Sequence, residues 1–206
     1  MKEVVIINYG SGNIFSVSSA LQKLGYRVKV TSLPEDIIKA DFIILPGVGA
    51  YKPAMNKLIN MNIDEALSIF IKRGGLLIGI CLGYQLLFEE SKEFGDTPGL
   101  GILKGRVVSL SNFKDDKCKV PNIGWRPLIK PSRFSYLNYK DESMAYFVHS
   151  FIPVSLDKEI VSSYIQYGKN RIHTSIHNGQ IVGFQFHPEK SRSIGLNILD
   201  SAIKDF

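Results

Sequence analysis

Cys81 stands between two glycines in Gly79-Ile80-Cys81-Leu82-Gly83, where an apolar run gives way to a helical pattern. That spacing matches a nucleophile elbow with cysteine in place of serine, because the glycines leave room for a strained strand-to-helix turn that exposes the side chain. At a helix start, unpaired N–H groups and the helix dipole favour the thiolate, the reactive form of the group. The same five residues also fit a buried cysteine closing a core strand, and alone they leave both readings open.

A thiolate nucleophile needs a base, and the base is held by a third group. The stretch Gly183-Phe184-Gln185-Phe186-His187-Pro188-Glu189 offers such a pair. Strand alternation puts Val182, Phe184 and Phe186 on one face and Gln185 with His187 on the other. Pro188 keeps His187 extended, and Glu189 is two residues away, within reach of the imidazole. A surface His-Pro-Glu turn is the alternative, and only the fold can bring His187 to Cys81.

The remaining chemistry-bearing residues point elsewhere. His173 and His177 flank a hairpin signal and are expected on one strand face, but no cysteine or carboxylate stands at ligand spacing, so no metal site is expected. His149, in YFVHSF, follows an aromatic strand. Gly10-Ser11-Gly12 has the start of a dinucleotide loop, yet Phe15 takes the third glycine position and no acid closes the second strand. No phosphate loop is present either, and no cofactor is expected. Cys118 reads as an ordinary surface or strand thiol.

These residues need a scaffold, and the first half of the chain supplies alternating strands and helices. Residues 2–8, 27–32, 41–46 and 75–81 are short runs rich in Val, Ile and Leu, as strands buried on both faces tend to be. Helices are expected at about 13–24, 52–57, 63–72 and 84–91. The second half changes to strands near 101–110, 145–152, 160–167, 171–177 and 180–187, with Asn178-Gly179 as a two-residue hairpin signal, and a closing helix over 191–204. The fold class is therefore α/β: three layers, a mostly parallel central sheet flanked by helices, and an antiparallel extension in the second half.

Composition sets the outer bounds. The 206 residues suit one hydrophobic core, with no linker or repeat to divide residues 1–206 into two domains. Two cysteines are too few for a disulfide framework or a thiolate zinc site. No window approaches the roughly 18 apolar residues of a membrane span, and the start lacks a small-residue cleavage site, so a cytoplasmic protein without membrane contact is expected. The net charge of +6 comes from scattered Lys and Arg, which argues against nucleic acid.

Taken together, NYGSGN (residues 8–13), LPGVGAY (45–51), GICLGYQLLFEES (79–91), GLGILKG (99–105), KVPNIGW (119–125), YFVHSF (146–151) and QFHPEKS (185–191) resemble the class I glutamine amidotransferases, and more narrowly the glutaminase subunits of imidazole glycerol phosphate synthases. The motifs run in family order from end to end. LPGVGAY, YFVHSF and HPEKS are the more specific to that subunit.

The resemblance implies that Cys81 attacks the carboxamide of L-glutamine, that His187 protonates the leaving ammonia and then activates water, and that Glu189 orients His187. It implies oxyanion donors from Leu82 and the Gly47-Val48-Gly49 strand, and a glutamine pocket lined by Gly49, Gln85, His149 and Ser150. It further implies a heterodimer with a (βα)8-barrel cyclase, to which ammonia is channelled for histidine biosynthesis, with Asn13, Asn122, Trp125, Arg126 and Lys190 toward that partner. Three positions depart from the pattern: Asn8 where Asp is common, Asn122 where His precedes the Gly-Trp pair, and Arg126 where Asn follows it. The last two leave a paralogous role open, with ammonia supplied to a sugar-modifying amidotransferase. A free-standing cysteine hydrolase of similar fold would carry His directly after the elbow cysteine, where this chain has Leu82.

Overall fold

The computed structural model describes residues 2–113, 118–131 and 143–206. Its centre is a seven-stranded sheet of β1 (Glu3–Ile7), β2 (Arg27–Thr31), β3 (Phe42–Leu45), β4 (Leu76–Ile80), β11 (Val161–Tyr167), β12 (Asn170–Asn178) and β13 (Ile181–Phe184), in the spatial order β11-β12-β13-β4-β3-β1-β2. Strands β2, β1, β3, β4 and β13 pair in parallel, and β12 and β11 add an antiparallel edge. A four-stranded sheet, β10-β7-β5-β6, is built from β5 (Phe88–Ser91), β6 (Thr97–Pro98), β7 (Leu103–Ser109) and β10 (Phe151–Val154). A two-stranded ribbon joins β8 (Asn122–Pro127) to β9 (Met144–His149).

Helices cover both faces of the large sheet for reasons written locally. In α4 (Ile63–Lys72) the buried residues are Ile63, Ala66, Leu67 and Phe70, an i, i+3, i+4, i+7 stripe, with Asp64 and Glu65 in the first turn and Lys72 in the last. In α1 (Ile14–Lys23) Asn13 is the N-cap, its side chain accepting from the Ser16 N–H at 3.3 Å. Helix α3 spans Tyr51–Asn60, and α6, Arg192–Lys204, closes the chain. Two apolar clusters fill the space on either side: Ile6, Ile44 and Ile78 belong to one, Ile7, Ile43 and Leu77 to the other. This inside-out alternation along β1, β3 and β4 is why those strands read as continuous apolar runs.

Several elements differ from the sequence reading. The expected helix over 84–91 is a short helix, α5 (Leu82–Leu86), followed by β5, because Phe88 pairs with Leu103, and Glu90 and Ser91 with Pro98 and Thr97. The expected strand over 145–152 is two, β9 and β10, broken at Ser150. Helix α2 (Pro34–Lys39) was not expected, although Pro34 at its start and Glu35 and Asp36 in its first turn are start signals. The hairpin turns at Gly179-Gln180, since Asn178 pairs with Ile181. His173 and His177 do not share a face: the β11–β12 ladder shifts register between them, so Ile172 packs into one core cluster and Ile176 into the other.

Candidate active site

Parallel pairing of β13 with β4 sets Phe184 beside Ile80, which brings Gln185 alongside Cys81 at the carboxyl ends of both strands. The Cys81 N–H donates to the Phe184 carbonyl at 2.7 Å. Cys81 itself has φ 54°, ψ −108°, a conformation non-glycine residues rarely adopt, so the elbow is strained where the sequence placed it. Its flanking glycines are sterically required. A Cβ on Gly83 would lie 1.9 Å from the Leu45 carbonyl oxygen, and one on Gly79 2.8 Å from the Tyr84 Cα. Gly83→Ala is therefore expected to destabilise the fold by about 1–3 kcal/mol, as overpacking does. A thermal unfolding midpoint equal to that of the parent chain would contradict this.

The residues after β13 form a compact turn, a single 3-10 turn at Pro188–Lys190. The His187 N–H donates to the Tyr146 carbonyl at 3.0 Å, and Ser191 ties the turn to β9 by donating its hydroxyl to the His187 carbonyl at 2.7 Å and accepting from the Tyr146 N–H at 2.9 Å. His187 Nδ1 meets Glu189 Oε1 at 2.8 Å, with both side chains almost wholly buried. The other ring nitrogen, Nε2, is buried and has no hydrogen-bond partner, as is Glu189 Oε2. Burial works against the imidazolium, but the Cys81 and Glu189 side chains together outweigh it and push His187 up to about 10.

A pocket of about 460 Å³ opens over this pair. Cys81, Leu82, Gln85, His149, Ser150 and His187 line it, with Val48 and Gly49 from the glycine strand. The structure thus brings together all the sequence-predicted catalytic residues and all the pocket residues except Gly47, which lies buried one residue behind Val48. Of the N–H groups expected to hold an oxyanion, two are engaged: the Leu82 N–H donates to the Gly47 carbonyl at 3.3 Å, and on the glycine strand the Val48 N–H reaches the Ser11 hydroxyl at 3.4 Å. Ser11 donates in turn to the Val48 carbonyl at 2.5 Å, and Tyr9 donates its buried hydroxyl to the Pro46 carbonyl at 2.9 Å. The NYGSGN loop is a clasp on the glycine strand.

Of the residues expected toward a partner, Lys190 is exposed, Trp125 is 37% exposed, and Asn13 and Arg126 are half-buried. Asn122 is a correction. It is fully buried, on the inner face of the ribbon, because the β8–β9 register turns Ile123, Trp125 and Pro127 outward and Asn122, Gly124 and Arg126 inward. Cys118 is half-buried against the core and lies outside any strand.

The class-I glutamine amidotransferase profile matches residues 5–203. The chain belongs to that family. Among curated relatives, the imidazole glycerol phosphate synthase subunit HisH of Bacillus subtilis (strain 168) is 40% identical over 97% of this chain and 94% of its own. The chloroplastic imidazole glycerol phosphate synthase hisHF of Arabidopsis thaliana is 40% identical over 95% of this chain and 33% of its own length. A crystal structure of a glutamine amidotransferase superposes with a TM-score of 0.74 at 19% identity, covering 96% of this chain and 98% of that one, a likeness of fold.

In this glutamine amidotransferase, sequence reasoning missed five residues that line the pocket: Glu93, Phe94, Pro121, Val148 and Phe151. Glu93 lines the pocket and is buried, accepting from the Tyr51 N–H at 2.7 Å; burial raises its pKa above the usual carboxylate value, and the Tyr51 bond pulls the other way. Phe94, at the mouth, is 90% exposed with φ 54°. Glu93 and Phe94 lie just past the end of the helix expected over 84–91, in a polar stretch where no local pattern pointed to them.

Proposed function

We propose that this chain is the glutaminase subunit of an imidazole glycerol phosphate synthase, one glutamine amidotransferase type-1 domain over residues 1–206, acting in the cytoplasm. The observation that carries the chemistry is the alignment of Cys81 with a buried His187–Glu189 pair across the parallel β4–β13 junction. Cys81 Sγ attacks the side-chain carbonyl carbon of L-glutamine. His187 gives its proton to the departing nitrogen, which leaves as ammonia and yields a γ-glutamyl thioester. A water molecule then loses a proton to His187 and attacks the thioester, releasing glutamate and restoring Cys81. Glu189 holds the imidazole with Nε2 toward the reaction. Glu93 is the pocket carboxylate suited to the substrate's ammonium, and Gln85, His149 and Ser150 bound the rest.

Two features support a (βα)8-barrel cyclase as partner in a heterodimer. The Arabidopsis relative is named hisHF and is about three times the length this chain matches. The outer face of the β8–β9 ribbon presents Ile123, Trp125, Met144 and Val148, each 37–57% exposed, an apolar surface beside the pocket. Because Asn122 and Arg126 face inward, their departures from the family pattern do not by themselves call for a different acceptor.

The test is covalent. A glutamine-analogue electrophile is expected to label Cys81, to leave Cys118 unmodified and to abolish ammonia release, as read by peptide mass mapping alongside a glutaminase assay. Label on Cys118 with Cys81 untouched would remove the nucleophile from this reading.

A further inference from the structure

The nucleophile has a second neighbour besides His187. Gln185, fully buried, points an amide nitrogen at Cys81 Sγ at 3.8 Å. Which end of the Gln185 amide faces the sulfur is decided by a backbone carbonyl two contacts away. The Phe151 carbonyl can only accept, and a nitrogen of the Gln85 amide lies 2.9 Å from it, so that atom is the donor Nε2. The same Nε2 lies 3.0 Å from an amide oxygen of Gln185, which must accept and is therefore Oε1. Gln185 is left with its N–H group toward the sulfur.

The Phe151 carbonyl is fixed from its other side as well. His149 Nδ1 lies 3.0 Å from it and must donate, so His149 Nε2 is an acceptor. Asn122 Nδ2 donates to that Nε2 at 2.9 Å, leaving Asn122 Oδ1 to accept from Arg126 Nε, also at 2.9 Å. His149 and Asn122 are buried, and burial holds His149 down at about 4, so the neutral tautomer persists across the neutral range. Asn122 and Arg126, two of the positions where this chain leaves its family's pattern, thus interact with each other and reach the pocket through one histidine.

We infer that Gln185 is a catalytic residue that donates a hydrogen bond to the Cys81 sulfur, and that Arg126, Asn122 and His149 are positioning residues that fix the Phe151 carbonyl from which the Gln85–Gln185 orientation follows. The inference rests on the reading of Cys81 as nucleophile. The thiol has an alternative in the Val148 carbonyl, 3.8 Å from Sγ, to which an S–H can donate. A thiolate cannot use that carbonyl, whereas an N–H donor bonds a charged sulfur more strongly than a neutral one, so Gln185 is matched to the reactive form. The titratable groups around Cys81 are His187 with Glu189 on the turn after β13, His149 on β9, Glu93 after β5 and Tyr9 after β1. Gln185 adds a donor that does not titrate.

The experiment is the pH dependence of iodoacetamide alkylation at Cys81, in the full chain carrying Cys118→Ser. Alkylation requires no glutamine site, so a chain whose Cys81 shows no thiolate reactivity at any pH would fail the nucleophile reading itself. Gln185→Met, close in size and without a donor, is expected to raise the midpoint by about one pH unit, the scale of one hydrogen bond to a charged group. Arg126→Leu, at a half-exposed position, is expected to raise it by a smaller amount in the same direction. An unmoved midpoint in Gln185→Met overturns the donor role, and a shift there with none in Arg126→Leu overturns the positioning arm. Should Gln185→Met fail to fold, Gln85→Leu leaves Gln185 unanchored and carries the same expectation and the same refutation.

Discussion

His187→Asn is expected to lower glutaminase turnover by about a hundredfold or more, the usual worth of a positioned general acid–base group, while glutamine binding changes little. The buried Nε2 without a partner is what the variant removes from the reaction; Asn retains a polar group near Glu189 but cannot carry a proton between leaving group and water. The pH dependence follows from the raised imidazole. Burial alone would strip its proton early, but the Cys81 and Glu189 side chains keep it until about pH 10, so the parent enzyme should keep a protonated His187 through neutrality and lose that form only on an alkaline limb near that value. The linked stability has a definite sign. A folded-state value above the ordinary 6.5 means that the imidazolium contributes stability fully below pH 6.5 and loses it progressively as pH rises to about 10. The parent should therefore exceed His187→Asn in stability most at pH 6 and least at pH 10, measured by denaturant unfolding. Near-normal turnover, or a stability gap that widens with pH, would place the base elsewhere.

The parts of this chain that were legible in its sequence are those that local pattern determines. Strands β3 and β4, buried on both faces, had to be apolar throughout, and α4 carries its stripe and its charged ends in ten consecutive residues. Cys81, His187 and Glu189 were legible because a strained elbow and an extended His-Pro-Glu turn each need particular residues at short range. What was not legible depends on pairing between distant segments. Phe88–Ser91 has helix-compatible residues but is drawn into a strand by Leu103 and Thr97. The faces of His173 and His177 were inverted by a register shift that leaves no mark on alternation. Asn122 was expected toward a partner because of the family resemblance, whereas its inward face follows from Asn122–Pro127 being a strand paired with β9, which no local pattern announced. The contact of Gln185 with Cys81 is likewise a consequence of β13 lying beside β4.

The isolated chain is expected to hydrolyse glutamine very slowly, and a barrel partner with its acceptor bound is expected to stimulate it at least a hundredfold. A tetrahedral oxyanion needs two free N–H donors, and removing one typically costs ~3 kcal/mol of transition-state stabilisation, about a hundredfold in rate. In this structure the Leu82 N–H and, on the glycine strand, the Val48 N–H are both engaged, the first with the Gly47 carbonyl and the second with Ser11. The 3.3 and 3.4 Å lengths of those two bonds mark them as weak, and Gly49, at φ 100°, gives the strand a joint at which a peptide can turn. A few kcal/mol of partner binding is enough to shift such a two-state peptide by orders of magnitude. Docking on the ribbon's outer face would press beside Val48, which is itself 45% exposed at the pocket rim. Lys190, exposed at the end of the turn that carries Glu189, is where partner contact is expected to reach the His187–Glu189 pair, so Lys190→Ala should reduce the stimulation more than the basal rate. A steady-state glutaminase assay with and without the barrel subunit and its acceptor decides the matter: full activity in the isolated chain would mean that the clasp on the glycine strand does not restrain catalysis, and would return the chain to the class of free-standing hydrolases.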